Sequence, residues 1–306
     1  MSDDEVRNCV LVLGSANMDL VFRCAELPGP GETRLGGAFE TSPGGKGANQ
    51  ATAIARLGGR VELLGKVGAD AYGDELVASL GQLRVGTKWL RRSASAPTGV
   101  AAVLVDDHGQ NSIVVAPGAN QELTAGELRE ARSVVKPKVV LAQLEVSMQA
   151  VVACVDSELF ILNPAPATTL PEGLLRGVDV LTPNESETHS LTSLLPVDSA
   201  TCSRACSILH EQGVRHVVLT LGEHGCYVSD GSTQRHFAPI SVEPVDTTAA
   251  GDAFSGALAH FMATGRDLWN AAQLANVVAG LSTTVAGAQR SMPTLEVVSA
   301  FAPNLS

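Results

Sequence analysis

Asp252 is where the chemistry of this sequence concentrates. It closes the segment Asp246-Thr247-Thr248-Ala249-Ala250-Gly251-Asp252, a polar turn of small side chains running into a helical stretch that begins near Gly251. Small side chains let a phosphate approach the backbone. Free N–H groups and the positive dipole end at a helix start favour an anion there. A carboxylate in that first turn can take the proton of a hydroxyl as a phosphoryl group is transferred to it. An N-capped helix after a tight turn has the same local signature, so this segment alone leaves both readings open.

Three further segments carry polar groups in usable spacing. Ser42-Pro43-Gly44-Gly45-Lys46-Gly47-Ala48-Asn49-Gln50-Ala51 joins glycines, which bring backbone close to a ligand, to donors at Lys46 and Asn49. It is not a P-loop, which needs a Gly-Lys-Ser/Thr ending; a glycine-rich helix start with a solvated lysine fits equally. In Gly14-Ser15-Ala16-Asn17-Met18-Asp19, the i, i+2 spacing in an extended loop points Asn17 and Asp19 to one side. That suits hydrogen bonding to adjacent sugar hydroxyls, and an Asx turn is the plain alternative. In Thr182-Pro183-Asn184-Glu185-Ser186-Glu187, Asn184 and Glu187 can share a face at a helix start. Such oxygens suit Mg²⁺ held through water, or they simply cap the helix.

The elements that must position these residues read as an α/β alternation. Val10 to Leu13 is an aliphatic strand ending at Gly14, Gly45 to Leu57 has helical spacing, Val61 to Val67 is a strand, and Asp74 to Leu83 is helical. Strand-like runs recur at Val139 to Gln143, Phe160 to Leu162, Val178 to Thr182 and His216 to Thr220. This predicts a mostly parallel sheet with helices on both faces. Glu145, Asn163, Asn184 and Gly222 gather just beyond strand ends, where open parallel sheets bind ligands. Leu20 to Pro43 and Thr98 to Val115 break the rhythm. They predict a small β-sheet lid, built from insertions at about 20–43 and 98–115 in a single domain spanning 1–306, with a hairpin turn at Asp106 to Gly109.

Composition sets the outer bounds. The 306 residues are 45% hydrophobic but only 4% aromatic, so the core must be aliphatic. Lys+Arg is 21 against 32 Asp+Glu, a net charge of −11, which gives no general footprint for nucleic acid or for an anionic membrane. Any phosphate must therefore be bound locally. The six cysteines are scattered, unlike a disulfide framework. Cys202, Cys206 and His210 share a helix stripe that reads as reduced and half-buried rather than metal-binding. The acidic start Met1 to Glu5 is no signal peptide, the C-terminal Asn304-Leu305-Ser306 is no peroxisomal address, and no apolar run reaches a membrane span. The expectation is a cytoplasmic enzyme. A dinucleotide oxidoreductase would need Gly-x-Gly-x-x-Gly after the first strand, where Gly14-Ser15-Ala16-Asn17 stands instead. A non-catalytic binding protein on the same fold predicts loss of the base, but Asp252 and Gly251 are both present.

Taken together, the segments resemble the ribokinase family of carbohydrate kinases. The matching stretches are Gly14 to Asp19, Gly44 to Asn49, Thr98 to Val100, Asn111 to Ile113, Pro117 to Asn120, Gln143 to Glu145, Asn163 to Pro166, Pro183 to Glu185, Leu219 to Gly222, Asp246 to Asp252, Gly287 to Gln289 and Ser291 to Pro293. They span nearly the whole chain in order. The resemblance implies a three-layer α/β/α ribokinase-like fold with a β-sheet lid, and a homodimer formed through the lids. It implies ATP-dependent phosphorylation of D-ribose at the 5-hydroxyl, with deoxyribose, fructose or adenosine as alternative acceptors. Ribose would be held by Asn17, Asp19, Gly45, Lys46, Asn49 and Glu145. Asp252 would be the base, with the amides of Ala249, Ala250, Gly251 and Asp252 as the anion hole. ATP would be held by Asn184, by Thr220, Leu221, Gly222, Glu223, His224 and Gly225, and by Asn276. Mg²⁺ would be organised by Asn184 and Glu187 through water. K⁺ would be held by Asp246, Thr248, Ser282, Val285, Gly287 and Ser291. Many relatives carry glycine where this chain has Ala249. If that position needs φ > 0, the methyl strains the anion hole.

Overall fold

The computed structural model describes residues 8–303, so the expectations drawn from the two termini lie outside the described residues. In chain order its strands are β1 (Val10–Leu13), β2 (Asn17–Arg23), β3 (Phe39–Gly44), β4 (Val61–Gly68), β5 (Leu90–Ser93), β6 (Gly99–Val105), β7 (Asn111–Ala116), β8 (Val139–Ala142), β9 (Phe160–Leu162), β10 (Val180–Leu181), β11 (His216–Thr220), β12 (Cys226–Ser229) and β13 (Gln234–Phe237). Nine of them form one sheet in the order β13-β12-β11-β10-β9-β8-β1-β4-β5. Every pairing from β5 across to β11 is parallel, and β12 and β13 return as antiparallel neighbours.

Because β1 and β8 to β10 are buried on both faces, they read as unbroken aliphatic runs without polar alternation. Their side chains still alternate between layers. Val10, Val12, Leu141, Ile161 and Val180 enter one core with the helices Lys46–Arg56, Ala71–Gln82, Ala250–Ala263 and Leu268–Ser282. Leu11, Leu13, Val140, Phe160 and Leu181 enter the other, with the helices Ala125–Val135, Met148–Val152 and Ser199–Glu211. The result is the expected three-layer α/β/α architecture. From β1 the chain passes outward to β4 and β5, then crosses to β8 on the other side of β1. The order therefore switches direction between β1 and β8, whose carboxyl ends open a crevice.

The remaining four strands form a separate sheet, β3-β2-β6-β7, which stands on the main domain at Asn17, Gly44 and Gly99, paired with one another in its register. Asp106 Oδ1 accepts from the amides of His108 and Gln110 in the β6–β7 turn, where Gly109 adopts φ 78°. Local details differ from the periodicity. The second helix begins at Ala71 rather than Asp74, because Asp70 accepts from the Gly73 amide and starts it early. The strand expected over Val178 to Thr182 contracts to Val180–Leu181, since Val178 closes a tight turn onto the Leu175 carbonyl. Cys202 and Cys206 are core residues, and the His210 ring is engaged by the Val214 carbonyl and the Ser229 hydroxyl. Among the described residues no helix is long and apolar enough to cross a membrane.

Candidate active site

Glycines decide how closely the first helix approaches the crevice. A Cβ on Gly47 would sit 2.5 Å from the Gly14 carbonyl carbon, and one on Gly14 would sit 2.5 Å from Gly47 Cα. Backbone therefore packs directly on backbone, and the Ala48 amide donates to the Ser15 carbonyl at 2.8 Å. Gly45 turns the chain at φ 90°, a conformation that favours glycine. This contact carries Lys46, Asn49 and Gln50 to the end of β1.

The opposite wall is the start of the helix Ala250–Ala263. Ala249 precedes it at φ 61°, ψ 16°, so the methyl does sit in the left-handed region, at a cost of about 1–2 kcal/mol relative to glycine. The geometry brings the Gly251 and Asp252 amides to the helix end, where no carbonyl lies one turn back to receive them. At Gly251 the space a Cβ would occupy is open. Asp252 is only 6% exposed. Its Oδ2 accepts from Asn49 Nδ2 at 3.0 Å and its Oδ1 from Gln50 Nε2 at 2.9 Å. Asp252 and the residues of these amides bound a cavity of about 200 Å³ that also meets Lys46, Asn184, Glu187 and Thr220. The charge of Asp252 raises the pKa of Lys46 above its ordinary value, outweighing burial, with Glu145 and Glu187 adding to it. Lys46 is thus a fixed cation facing the place where phosphate charge would develop.

Beneath the small sheet lies an acidic end. Asn17 is buried, and its Oδ1 accepts from Asn120 Nδ2 at 2.7 Å. Burial, then the charges of Glu145 and Asp252, push Asp19 up to about 7. Glu145 Oε2 accepts from the Ser15 hydroxyl and from the Lys46 amide at 3.1 Å. Asn49, expected at the sugar, has its amide committed to Asp252 and, through Oδ1, to Gln289 Nε2 at 3.3 Å.

At the other end, Asn184 and Glu187 form a reciprocal capping box: Asn184 Oδ1 accepts from the Glu187 amide and Glu187 Oε2 from the Asn184 amide. Burial raises the Glu187 pKa. Each of its oxygens accepts from Asn184 and keeps a further lone pair, so the pair can face a hydrated Mg²⁺ while the cap stays intact. Of the expected nucleotide residues, Asn184 and Thr220 reach the cavity. Leu221 to Gly225 form a tight turn beside it, with Gly222 at φ 52° and Gly225 at φ 82°, and Glu223 and His224 face solvent. Asn276 donates to the Ala238 carbonyl at 2.7 Å.

Asp246 ties two loops. Its Oδ1 accepts from the Thr248 amide at 2.9 Å and its Oδ2 from the Gly287 amide at 2.8 Å. Burial raises its pKa, but the Thr248 hydroxyl, the two amides and the charge of Arg23 together outweigh burial and hold it below the ordinary value. Ser282 and Ser291 are buried and donate to the Ala279 and Ala288 carbonyls, while Val285 is exposed. Of the residues expected at a monovalent cation, the Asp246 bonds bring Asp246, Thr248 and Gly287 together.

Residues 7–295 match the pattern described as pfkB family carbohydrate kinase. The chain is 39% identical to a ribokinase of Bacillus subtilis over 291 residues, 93% of this chain and 96% of that protein. It is 34% identical to a deoxyribokinase of Salmonella typhi, covering 94% and 96%. The solved structure of Arabidopsis thaliana ribokinase complexed with ribose and ATP superposes with a TM-score of 0.88 at 32% identity, covering 95% and 97%. The chain belongs to the pfkB family of carbohydrate kinases. An ATP-dependent carbohydrate kinase needs an acceptor hydroxyl, a base and an anion site in one place; the cavity brings together Asp252, the amides of the helix start and Lys46, and of the expected sugar residues Lys46 alone lines it. Gln50, Asn120 and Gln289 bond Asp252, Asn17 and Asn49, and Gln143 and Asn163 bond Gln50, yet none of these five was expected at the site. Asn163 carried a local signal, as a polar residue beyond a strand end, while Gln143, Asn120 and Gln289 fell only within stretches that carry the family resemblance.

Proposed function

We propose that this kinase transfers the γ-phosphoryl group of ATP to the 5-hydroxyl of D-ribose, giving ribose 5-phosphate and ADP, in the cytoplasm. The observation that carries the reading is Asp252: a buried carboxylate in the first helical turn, beside amides without intrahelical partners and facing Lys46. Similarity to ribokinases along almost the full length supports ribose as the acceptor.

Phosphoryl transfer asks the protein mainly for position and charge neutralisation. Asp19 and Glu145 accept hydrogen bonds from the sugar hydroxyls, and Asn17, Lys46 and the second N–H of Asn49 donate to them, with Gly45 letting the sugar approach the backbone. A site that demands these bonds rejects analogues lacking a hydroxyl, because its own polar groups are then left unpaired. Asp252 takes the proton of the 5-hydroxyl as the new P–O bond forms. The amides of Ala249, Gly251 and Asp252 and the Lys46 ammonium hold the charge on the transferred group; the Ala250 amide, expected with them, donates to the Thr247 carbonyl at 3.2 Å instead. Asn184, Thr220 to Gly225 and Asn276 hold ATP. A hydrated Mg²⁺ at Asn184 and Glu187 would neutralise phosphate charge when bound. Asp246, Thr248, Ser282, Val285, Gly287 and Ser291 would hold K⁺ and brace the loop that shapes the anion site. The small sheet closes over the sugar, excludes water that would compete as acceptor, and pairs with a second copy through exposed apolar residues such as Phe22, Phe39 and Val114.

The similarity to a deoxyribokinase favours 2-deoxyribose as a second reading. ADP release measured across ribose, deoxyribose, fructose and adenosine separates them. The proposal expects the highest kcat/KM with ribose, and a higher value for any of the others refutes it. Asp252→Asn should keep ATP binding and lose about 10²–10⁴ in kcat.

A further inference from the structure

Gln50 is wholly buried, and both polar atoms of its side chain are committed. Nε2 donates to Asp252 Oδ1 at 2.9 Å and to Asn163 Oδ1 at 3.1 Å. Oε1 accepts from Gln143 Nε2, itself buried at the end of β8. The direction of this chain is dictated at both ends. A carboxylate and a backbone carbonyl can only accept. Asn163 must therefore turn Nδ2 to the Thr182 carbonyl, at 3.0 Å, and Oδ1 to Gln50. Gln50 must turn its NH₂ to the carboxylate, which leaves Oε1 for Gln143. The amide cannot rotate without breaking several bonds in a buried site, where an orphaned polar group is costly.

The geometry points to Gln50 as the positioning residue of the general base, an inference that rests on Asp252 acting as that base. Gln50 fixes one carboxylate oxygen, Asn49 grips the other, and the lone pairs that remain are held toward the cavity. Asn49 is the softer clamp, since its own far contact, to Gln289, is 3.3 Å long. The helix Lys46–Arg56 thus contributes Lys46 to the phosphate and Gln50 to the base, from one rigid element seated by Gly47 on the end of β1.

A kinetic double-mutant cycle on the full chain tests this. Gln50→Met keeps the length of the side chain and removes both donors. It should lower kcat by about ten- to a hundredfold, the loss that small misplacement of a catalytic group produces. KM for ribose and for ATP should stay within about threefold, because the contact acts in the transition state. In the Asp252→Asn background the same change should alter the residual kcat by less than about twofold, since its effect runs through the carboxylate. Gln50→Met/Gln143→Met guards against misfolding by replacing both buried partners with apolar groups, which costs less than orphaning one. The same kinetics are expected of it. A folded variant with kcat within about twofold of the parent, or equal losses in both backgrounds, overturns the inference and leaves the base assignment standing. Near-parental kcat in Asp252→Asn alone overturns the base assignment, and this inference with it.

Discussion

Sugar binding should weaken on the acid side of neutrality, and Asp19 sets where. Its pKa stands at about 7 against an ordinary 3.8, from burial first and then from Glu145 and Asp252. Below pH 7 the free enzyme carries Asp19 protonated, whereas a carboxylate that accepts from sugar hydroxyls must be ionised. Affinity should therefore fall about tenfold for each pH unit below 7: about tenfold by pH 6 and about thirtyfold by pH 5.5, relative to pH 8. Calorimetric titration with ribose, without nucleotide, reads this directly and is independent of the base's role in turnover. Stability shifts in the opposite sense. Between pH 3.8 and 7 the folded state binds a proton the unfolded chain does not, so the carboxylate's contribution becomes destabilising as pH rises through that window. At about 1.4 kcal/mol per factor of ten the ceiling is about 4 kcal/mol, and solvent at the cavity mouth brings it to about 2. Asp19→Asn should thus raise Tm at pH 8 while abolishing the pH dependence of ribose affinity. A ribose Kd unchanged from pH 8 to 5.5, or a lower Tm for Asp19→Asn at pH 8, refutes the reasoning.

Ala249→Gly removes a methyl held at φ 61° and should gain about 0.5–1 kcal/mol net of the extra entropy of glycine, seen as a Tm rise of about 1–3 °C with kcat retained. Gly47→Ala forces a Cβ to within 2.5 Å of the Gly14 backbone; separating the helix from β1 should cost about 3 kcal/mol or more, measured by urea unfolding, and lower kcat in whatever folds. Turnover should be faster in K⁺ than in Na⁺ at equal ionic strength, and Asp246→Asn, which loosens the two loops, should erase that difference. Equal rates in the two salts with the parent enzyme would remove the cation site.

Much of this kinase is written locally. Continuous aliphatic runs such as Val10–Leu13 and Phe160–Leu162 name strands buried on both faces, because no polar alternation is needed where helices cover both sides. The helix start that carries Asp252 is legible because a turn of small residues before a helix is a local pattern with a local electrostatic consequence, although that pattern alone leaves a base and a simple capped helix equally open. The tertiary structure alone decided the rest. Asn184 and Glu187 offered either a cap or a metal site, and packing made them a cap that also faces the cavity. The left-handed turn at Ala249 depends on how its loop meets the helix, which composition does not encode. Gln50 and Asp252 lie 202 residues apart, and an amide partner at that separation leaves no period to detect. Local sequence sets backbone direction and polarity over a few residues. Which buried donor meets which buried acceptor is fixed only when the sheet and its helices close around them.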